Sequence, residues 1–234
     1  MNSSSLYESD VAINSKHVYV IGDIHGRANQ LVEKLNDLEP GALIILGDVG
    51  FGFSLEIDEK LQNAFCQCKE KGWSIYLVRG NHDNPEYWRN IQRGCVMLRE
   101  NRVITINGKR FYVSGGGISL DRWQRVPRQS YWYDEYIYVP PHVLREVKDI
   151  YGVLSHVGPT PPKVAANPTF LEYCKLYDPE LEADLENEHI QITRLMGLGP
   201  KVWYYGHFHV NEIFQQGDTT CHALGIATIT EIKD

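Results

Sequence analysis

Five segments of this sequence place histidine, aspartate or asparagine directly after a short apolar run. They read YVIGDIHG, LIILGDVG, YLVRGNHD, GVLSHVGP and WYYGHFHV, and their polar residues include Asp23, His25, Asp48, Asn81, His82, Asp83, His156, His207 and His209. Carboxylates and imidazoles suit Mn, Fe and Zn, and no thiolate belongs to the set that would indicate a closed structural zinc site. The repeated pattern therefore favours one metal centre built from several strand ends.

Each segment taken alone has an ordinary explanation. A Gly-Asp pair after a strand, as at Asp48, is usually a turn whose aspartate caps the next helix. A single histidine such as His156 can be a core or rim residue, and His207 and His209 could lie on the solvated face of a strand. Because all five strand ends carry residues that can bind a metal, five unrelated explanations do not account for the shared pattern.

The first half of the chain alternates between strand-like and helix-like stretches. Apolar runs predict strands, and apolar residues at helical spacing predict helices between them. Asn107-Gly108 predicts a tight hairpin turn. The predicted strands are 17–21, 42–46, 74–78, 103–106 and 110–113, and the predicted helices are 28–38 and 56–71. Such alternation is typical of crossover units, and loops beyond the strand ends are where open α/β sheets bind ligands.

The second half predicts further elements of the same domain. A helix is expected from Pro140-Pro141 to residue 149, then a strand at 151–154, and four strands follow from Lys201 onward. Residues 171–196 are expected to be mostly helical, with a break at Asp178-Pro179. No linker or repeat divides the chain, so residues 17–234 are expected to form one domain. Residues 1–16, which are polar and rich in serine, are expected to be a disordered leader.

Composition excludes several classes of protein. The chain has 234 residues, of which 43% are hydrophobic and 23% charged, and no apolar run approaches the length of about 20 residues that spans a bilayer. A formal net charge of −7 argues against broad non-specific binding to nucleic acid. Five cysteines without paired metal spacing predict reduced thiols in a cytoplasmic protein.

Taken in order, the motifs GD-x-H, GD, GNHD, a lone histidine and GH-x-H resemble those of the calcineurin-like metallophosphoesterase superfamily. They span residues 22–209. The resemblance is greatest to a bacterial and phage branch related to the protein serine/threonine phosphatases. It implies the α/β metallophosphatase fold, a four-layer αββα sandwich of two mixed β-sheets, with the site at one edge of the sandwich.

The resemblance also implies two divalent metal ions, with Mn expected first and Fe or Zn as alternatives. It assigns Asp23, His25 and His209 to one metal, Asp48 to both, and Asn81, His156 and His207 to the other. The implied reaction is attack on a phosphate ester by a hydroxide that bridges the metals. His82 would donate a proton to the leaving oxygen, and Asp83 would orient the His82 imidazole.

The sequence departs from the protein phosphatases at one informative place. Their second motif reads GD-x-VDRG, whereas this chain reads GDVGFGF and lacks the arginine that holds the substrate phosphate. Residues 115–135, GGGISLDRWQRVPRQSYWYDE, offer Arg122 first and Arg125 second as a replacement, and Arg27 is a further candidate. Alternatively, this segment is a surface loop whose arginines pair with Asp134 and Glu135.

The expected substrate is phosphorylated, and its class stays open between a protein, a nucleotide and a nucleic-acid end. Aromatic residues in the 115–135 segment could stack on a base or could simply pack at the rim of the site. A phosphomonoesterase is the favoured activity. A phosphodiesterase, nuclease or nucleotide hydrolase with the same metal site is the alternative, and a non-catalytic scaffold is the least favoured.

Overall fold

Two mixed β-sheets organise the chain, seen in a computed structural model that describes residues 7–89 and 93–233. The five-stranded sheet has the order β12-β2-β3-β4-β5, and only β12 runs antiparallel to its neighbour. Its strands are β2 (Val18–Ile21), β3 (Ala42–Leu46), β4 (Ser74–Val78), β5 (Cys95–Met97) and β12 (Ile229–Glu231).

The seven-stranded sheet has the order β1-β6-β7-β8-β9-β11-β10. Two antiparallel pairs, β6 with β7 and β10 with β11, flank a parallel centre formed by β7, β8, β9 and β11. The strands are β1 (Glu8–Ile13), β6 (Arg102–Ile106), β7 (Lys109–Ser114), β8 (Gly152–Ser155), β9 (Val202–Tyr205), β10 (Glu212–Gln216) and β11 (Thr219–Ala223).

Helices cover the outer faces of both sheets. They are α1 (Ala28–Asn36), α2 (Leu55–Glu70), α3 (Val143–Glu146), α4 (Pro162–Ala165), α5 (Thr169–Tyr177) and α6 (Leu181–Met196), with short 3₁₀ turns at Tyr87–Arg89 and Arg122–Gln124. The side chain of Ser54 caps α2 by accepting a hydrogen bond from the N–H of Ile57 at 3.2 Å. None of the described helices combines the length and apolarity that crossing a membrane requires.

Strand β3 shows how the layers form. All five of its residues are buried, because both faces of the sheet are covered. Leu43 and Ile45 pack against α1 and α2, while Ile44 faces the other sheet and meets Phe111 and Leu154 there. A third apolar layer joins the seven-stranded sheet to α6, and it includes Val153, Trp203 and Leu195. These three layers separate four layers of secondary structure, which confirms the predicted αββα sandwich.

Most predicted elements are present with small changes at their ends. The strands predicted at 42–46 and 74–78 are confirmed residue for residue as β3 and β4. The helical stretch predicted at 171–196 is two helices, α5 and α6, which separate at the predicted break. The helix expected from residue 140 to 149 is shorter, since α3 contains only Val143–Glu146.

The expected disordered leader is wrong for residues 8–13, which form strand β1. This strand pairs in parallel with β6, and its last residue, Ile13, is buried between the sheets. Tyr7, just before the strand, is buried as well. The charged residues Glu8 and Asp10 lie on the exposed face of β1, so composition alone suggests a leader while alternate side chains anchor an edge strand. Residues 1–6 of the expected leader lie outside the described residues.

Candidate metal centre

All seven predicted metal ligands lie together at one edge of the sandwich. They follow the carboxyl ends of β2, β3 and β4 in one sheet and of β8 and β9 in the other. Since these strands run parallel within each sheet, their carboxyl ends meet at the same edge. The predicted ligands are Asp23, His25, Asp48, Asn81, His156, His207 and His209.

Four of these residues form a first group. Asp23, His25, Asp48 and His209 each contribute one ligand atom, and these atoms all lie within 4.8 Å of one another. The Nε2 atom of His209 is 2.9 Å from Oδ2 of Asp23 and 3.1 Å from Nε2 of His25. The group has the size and composition of a mononuclear metal site.

The remaining three residues form a second group that shares Asp48 with the first. Oδ1 of Asn81 lies 2.7 Å from Nε2 of His156 and 3.1 Å from Nδ1 of His207. Oδ1 of Asp48 is 3.2 Å from Nε2 of His156, whereas Oδ2 is 3.9 Å from Nδ1 of His25. One carboxylate therefore presents an oxygen to each group, which is the position that the resemblance implies for Asp48.

The backbone at these strand ends is unusual. His25, Asp48, His207 and His209 have φ values of 44°, 48°, 68° and 55°, in the left-handed region that few residues other than glycine adopt. Such conformations cluster at functional sites, where the surrounding structure enforces them. They turn the chain sharply after each strand, so that the next side chains point back toward the sheet edge.

Glycines before the ligands permit close approach between neighbouring strand ends. At Gly47, where φ is +91°, a Cβ atom would lie 2.3 Å from Nδ1 of His156. At Gly206 it would lie 2.1 Å from Oδ1 of Asp23. The Gly-Asp and Gly-His pairs of the sequence thus have a packing reason, because any side chain at these two positions would occupy the space of a predicted ligand.

Hydrogen bonds orient the ligands toward the centre. Nδ1–H of His156 donates to the carbonyl of Leu46 at 2.8 Å, which leaves the lone pair of Nε2 facing Asn81. Oδ1 of Asp23 accepts the backbone N–H of His207 at 3.0 Å. Backbone groups therefore hold these two side chains, and Nε2 of His156 is left to face the centre.

The electrostatics of the cluster favour neutral imidazoles beside carboxylates. Burial lowers the pKa of His25 to about 4 and that of His207 to about 3, so both rings carry a free lone pair at neutral pH. Burial acts to raise the pKa of Asp23, but the imidazole of His209 and other neighbours lower it to about 2. Burial, together with the charge of Asp23, raises the pKa of Asp48 well above its usual value.

The donor set fits divalent cations. Oδ2 of Asp23 is fully buried and, among the described residues, has no partner in hydrogen-bonding geometry even though His209 is close by. The Nε2 atoms of His25 and His209 face each other at 3.1 Å. A cation bound here would contact all three atoms, and carboxylate, imidazole and amide oxygen are suitable ligands for Mn, Fe or Zn.

His82 lies at the centre but outside both ligand groups. Its Nε2 is 3.9 Å from Oδ2 of Asp48, and its ring stacks on Phe53 with centroids 6.2 Å apart. The guanidinium of Arg125 approaches both ring nitrogens, at 2.7 and 2.9 Å. Burial, followed by the charge of Arg125, lowers the pKa of His82 to about 2. A cleft of about 170 Å³, bordered by His25 and His82, opens beside the ring.

Asp83 does not occupy the position expected from the sequence. Its buried carboxylate accepts backbone N–H groups, including those of Gly50 at 2.7 Å and Gly80 at 2.8 Å. These bonds join the turn after β3 to the turn after β4. Asp83 thus fixes the backbone around Asp48, and the group that contacts the His82 ring is Arg125. A buried carboxylate accepts hydrogen bonds from the nearby backbone N–H groups that have no other acceptor.

The two arginines of the 115–135 segment have different partners. Arg122 forms ion pairs with Asp178 at 2.5 Å and Asp184 at 2.6 Å, at the junction of α5 and α6. Arg125 pairs with Asp121 at 2.7 Å and reaches His82. The structure therefore brings the second candidate, Arg125, to the centre, and the expected pairs with Asp134 and Glu135 are replaced by these aspartates.

The structure also gives the positions of Arg27, the third arginine candidate, and of the aromatic residues in the 115–135 segment. Arg27 is exposed at the start of α1, next to the turn that carries His25. Trp123 stacks on Tyr177 of α5 with centroids 4.4 Å apart, and Trp132 packs edge-on against Phe53. These contacts favour the packing interpretation of the aromatic residues over a platform for bases.

Ser119 and Glu135, which adjoin the second ligand group, were not predicted as site residues from the sequence. The amide nitrogen of Asn81 donates to Oγ of Ser119 at 2.8 Å, and Oγ of Ser119 donates to Oε2 of Glu135 at 2.8 Å. Burial raises the pKa of Glu135 to about 7, although its bonds with Ser119 act in the opposite direction. Neither residue lies at a strand end, and both belong to the 115–135 segment, in which Ser119 follows the glycine run.

Comparisons with known proteins agree with this geometry. A sequence model of the family described as calcineurin-like phosphoesterase matches residues 16–211. The chain has no significant match among curated proteins. One crystal structure aligns over 94% of this chain and 99% of its own, with a TM-score of 0.53 and 13% identity, which is a likeness of fold.

Two further solved structures are more distant. The phosphopantetheinyl hydrolase PptH of Mycobacterium tuberculosis aligns over 92% of this chain and 90% of its own, at 13% identity and a TM-score of 0.46. An uncharacterised protein of Streptococcus pneumoniae, described as a predicted phosphoesterase, aligns over 94% and 84%, at 14% identity and a TM-score of 0.35.

Proposed function

This chain belongs to the calcineurin-like phosphoesterase family, and from that premise we propose that it is a phosphomonoesterase that requires two divalent cations. The observation that carries the proposal is the pair of ligand groups that share Asp48, one oxygen facing each. Mn is the cation we propose first, with Fe or Zn as alternatives. Asp23, His25 and His209 would complete one site, and Asn81, His156 and His207 the other.

The protein supplies geometry and neutral ligands to this centre. When bound, a pair of cations activates water as a nucleophile and draws negative charge from the phosphoryl oxygens. The buried imidazoles need no proton removed before they bind a cation, since their pKa values lie below neutrality. Asp83 holds the turns after β3 and β4 together, so that Asp48 stays between the two groups.

His82 and Arg125 would act on the substrate. Arg125 is the proposed phosphate contact, because its guanidinium meets both ring nitrogens of His82, which borders the cleft, and a planar fork matches phosphate oxygens. His82 borders the same cleft and is proposed to donate a proton to the leaving oxygen, once a bound phosphate draws Arg125 away and its negative charge raises the lowered pKa of the ring. A terminal phosphate carries more negative charge than a diester, and a guanidinium beside the cations favours that group.

The test compares a monoester with a diester. We expect Mn²⁺-dependent hydrolysis of p-nitrophenyl phosphate to exceed that of bis-p-nitrophenyl phosphate in kcat/KM. Asp48→Asn removes the shared charge and should lose most activity together with most bound metal. Asp218→Asn makes the same chemical change in an exposed turn and should leave both unchanged. Metal content by elemental analysis should approach two equivalents in the wild-type protein.

His82 is tested with the same assay and a second leaving group. His82→Ala should retain metal and lose about 10²–10⁴-fold in turnover on an alkyl phosphate, with a smaller loss on p-nitrophenyl phosphate, whose leaving group barely needs a proton. Equal losses on both would reject the proton-donor role. Faster hydrolysis of the diester would favour the phosphodiesterase alternative, and no metal-dependent hydrolysis of either ester would favour the scaffold.

A further inference from the structure

The side chain of Asn81 must present a particular end to the second ligand group. Its Oδ1 faces His156 and His207, at 2.7 and 3.1 Å. The amide oxygen and nitrogen have nearly the same shape, so rotation by half a turn about the last bond would exchange them. The rotated amide would direct an N–H donor at the position of a cation. Some other group must therefore decide which end faces inward.

Ser119 is in contact with the other end of this amide. Nδ2–H of Asn81 donates to Oγ of Ser119 at 2.8 Å, and both side chains are only 2% exposed. A serine hydroxyl can either accept or donate a hydrogen bond, so the contact by itself permits both orientations of the amide. The direction of the hydroxyl hydrogen is what distinguishes them.

Glu135 determines that direction. Its Oε2 accepts Oγ–H of Ser119 at 2.8 Å, and its Oε1 accepts the backbone N–H of the same residue at 2.7 Å. An ionised carboxylate accepts only, so the hydroxyl hydrogen points to Glu135 and a lone pair of Oγ is left for Asn81. With Oγ acting as acceptor, only the NH₂ end of Asn81 can face it, and Oδ1 must face the centre.

The glycine run before Ser119 is fixed by further bonds. The N–H of Gly116 donates to the carbonyl of Arg79 at 2.8 Å, and that of Gly117 to the carbonyl of Glu135 at 2.9 Å. At Gly116, where φ is +84°, a Cβ would lie 2.4 Å from the same Glu135 carbonyl oxygen. The run therefore lies flat against the residue that orients Ser119.

We propose that Ser119 and Glu135 are positioning residues that set the orientation of the Asn81 amide and thereby complete the second cation site. Neither residue belongs to a ligand group or borders the cleft beside His82. The inference rests on the proposed two-cation centre, and it assigns a role to the 115–135 segment besides phosphate binding. It also explains why a serine and a buried glutamate separated by 16 residues form two hydrogen bonds with each other.

The test measures cation binding directly, by titration with Mn²⁺ and detection of free Mn²⁺ by electron paramagnetic resonance at pH 8, where Glu135 is ionised. Ser119→Ala and Glu135→Gln should each weaken the second binding step by about 10–100-fold and leave the first unchanged, as is typical when the partner of a metal ligand is lost. Ser114→Ala is the matched control. Ser114 is equally buried, its Oγ has no partner among the described residues, and both steps should be unchanged.

A second comparison, made in an Asn81→Asp variant, distinguishes a positioning role from general structural support. Asn81→Asp presents an oxygen in either orientation, so adding Ser119→Ala to it should change the second step by less than about threefold. An equally large effect in both backgrounds would overturn the inference, as would wild-type affinity in both Ser119→Ala and Glu135→Gln. A wild-type protein that binds only one Mn²⁺ at saturation would overturn the two-cation centre as well, which distinguishes the two failures.

Discussion

Arg122 and Arg125 lie three residues apart, yet their guanidinium groups serve different parts of the molecule. Arg122 is directed to Asp178 and Asp184, and these contacts join the 115–135 segment to the helices on the outside of the sandwich. Its charge lowers the pKa of Asp178 through their hydrogen bond. Arg125 is directed to His82 and the centre. Single-residue substitutions should therefore separate a structural arginine from a functional one.

Arg125→Ala should lower kcat/KM on a phosphomonoester by about 10–10³-fold, or about 1.4–4 kcal/mol, with unchanged metal content. Arg125→Lys should recover only part of the loss, because an ammonium cannot make the two-pronged contact. Arg122→Ala is the matched comparison. It should keep kcat/KM near wild type and lose about 1–3 kcal/mol of unfolding free energy, since two aspartates lose their charged hydrogen bonds. The reverse result would place the phosphate contact at Arg122.

The strand ends show how secondary structure creates the centre. Neighbouring strands deliver ligands to one edge, but the side chains fit only where the adjoining strand end has no Cβ. Gly47, at the end of β3, is the sharpest case, because the His156 ring after β8 of the other sheet occupies the space beside it. The contact joins the two sheets directly at the centre.

Gly47→Ala should therefore displace His156 and weaken the second cation site. The added methyl combines a strained φ of +91° with a contact of 2.3 Å, and overpacking of this kind costs about 1–3 kcal/mol beyond the strain. Gly108→Ala is a matched control, since Gly108 has φ of +80° in the turn between β6 and β7 and nothing within 4 Å of a Cβ. Chemical denaturation and Mn²⁺ titration would measure both effects. Equal losses of stability with intact metal binding in both variants would show that only backbone strain matters.

For the whole molecule, the centre is a group of buried ionisable side chains at the end of an apolar sandwich. Without cations, the folded protein keeps the pKa of His25 at about 4 and that of His207 at about 3, whereas the unfolded chain takes up protons near the ordinary value of 6.5. Between these values the unfolded state binds more protons, so folding is favoured less as the pH falls. Asp23, with a pKa of about 2, acts in the same direction at lower pH, and Asp48, whose pKa is raised, acts in the opposite direction.

Compared with a variant that lacks these two imidazoles, the wild-type metal-free protein should therefore lose about 1–3 kcal/mol more unfolding free energy between pH 7.5 and pH 5.5. Asp48, Glu135 and Glu188, whose pKa values are raised by burial, act in the opposite direction in both proteins. Urea denaturation in the presence of a chelator measures this difference. A variant with His25→Asn and His207→Asn should show a shallower dependence on pH. The same dependence on pH in the variant and in the wild-type protein would contradict the prediction.

The fold class and the predicted ligands of the centre follow from the order of residues along the chain. Apolar runs of four or five residues define strands, and parallel strands must bring their carboxyl ends to one edge, so Asp23, Asp48 and Asn81 had to meet there. The sequence of residues specifies both each strand and the polar residue that follows it. The family resemblance then supplied the division into two groups, and the distances around Asp48 agree with that division.

Only the tertiary structure decided which polar side chains act on these ligands. Arg122 finds Asp178 across 56 residues, and Asn81 finds Ser119 across 38, and no periodicity or motif records such pairs. Asp83 similarly took up backbone N–H groups of turns that only the folded sheets bring near it. Buried polar groups pair with whatever the packing places within hydrogen-bonding distance, and that choice follows from the three-dimensional arrangement of strand ends and loops rather than from the order of residues.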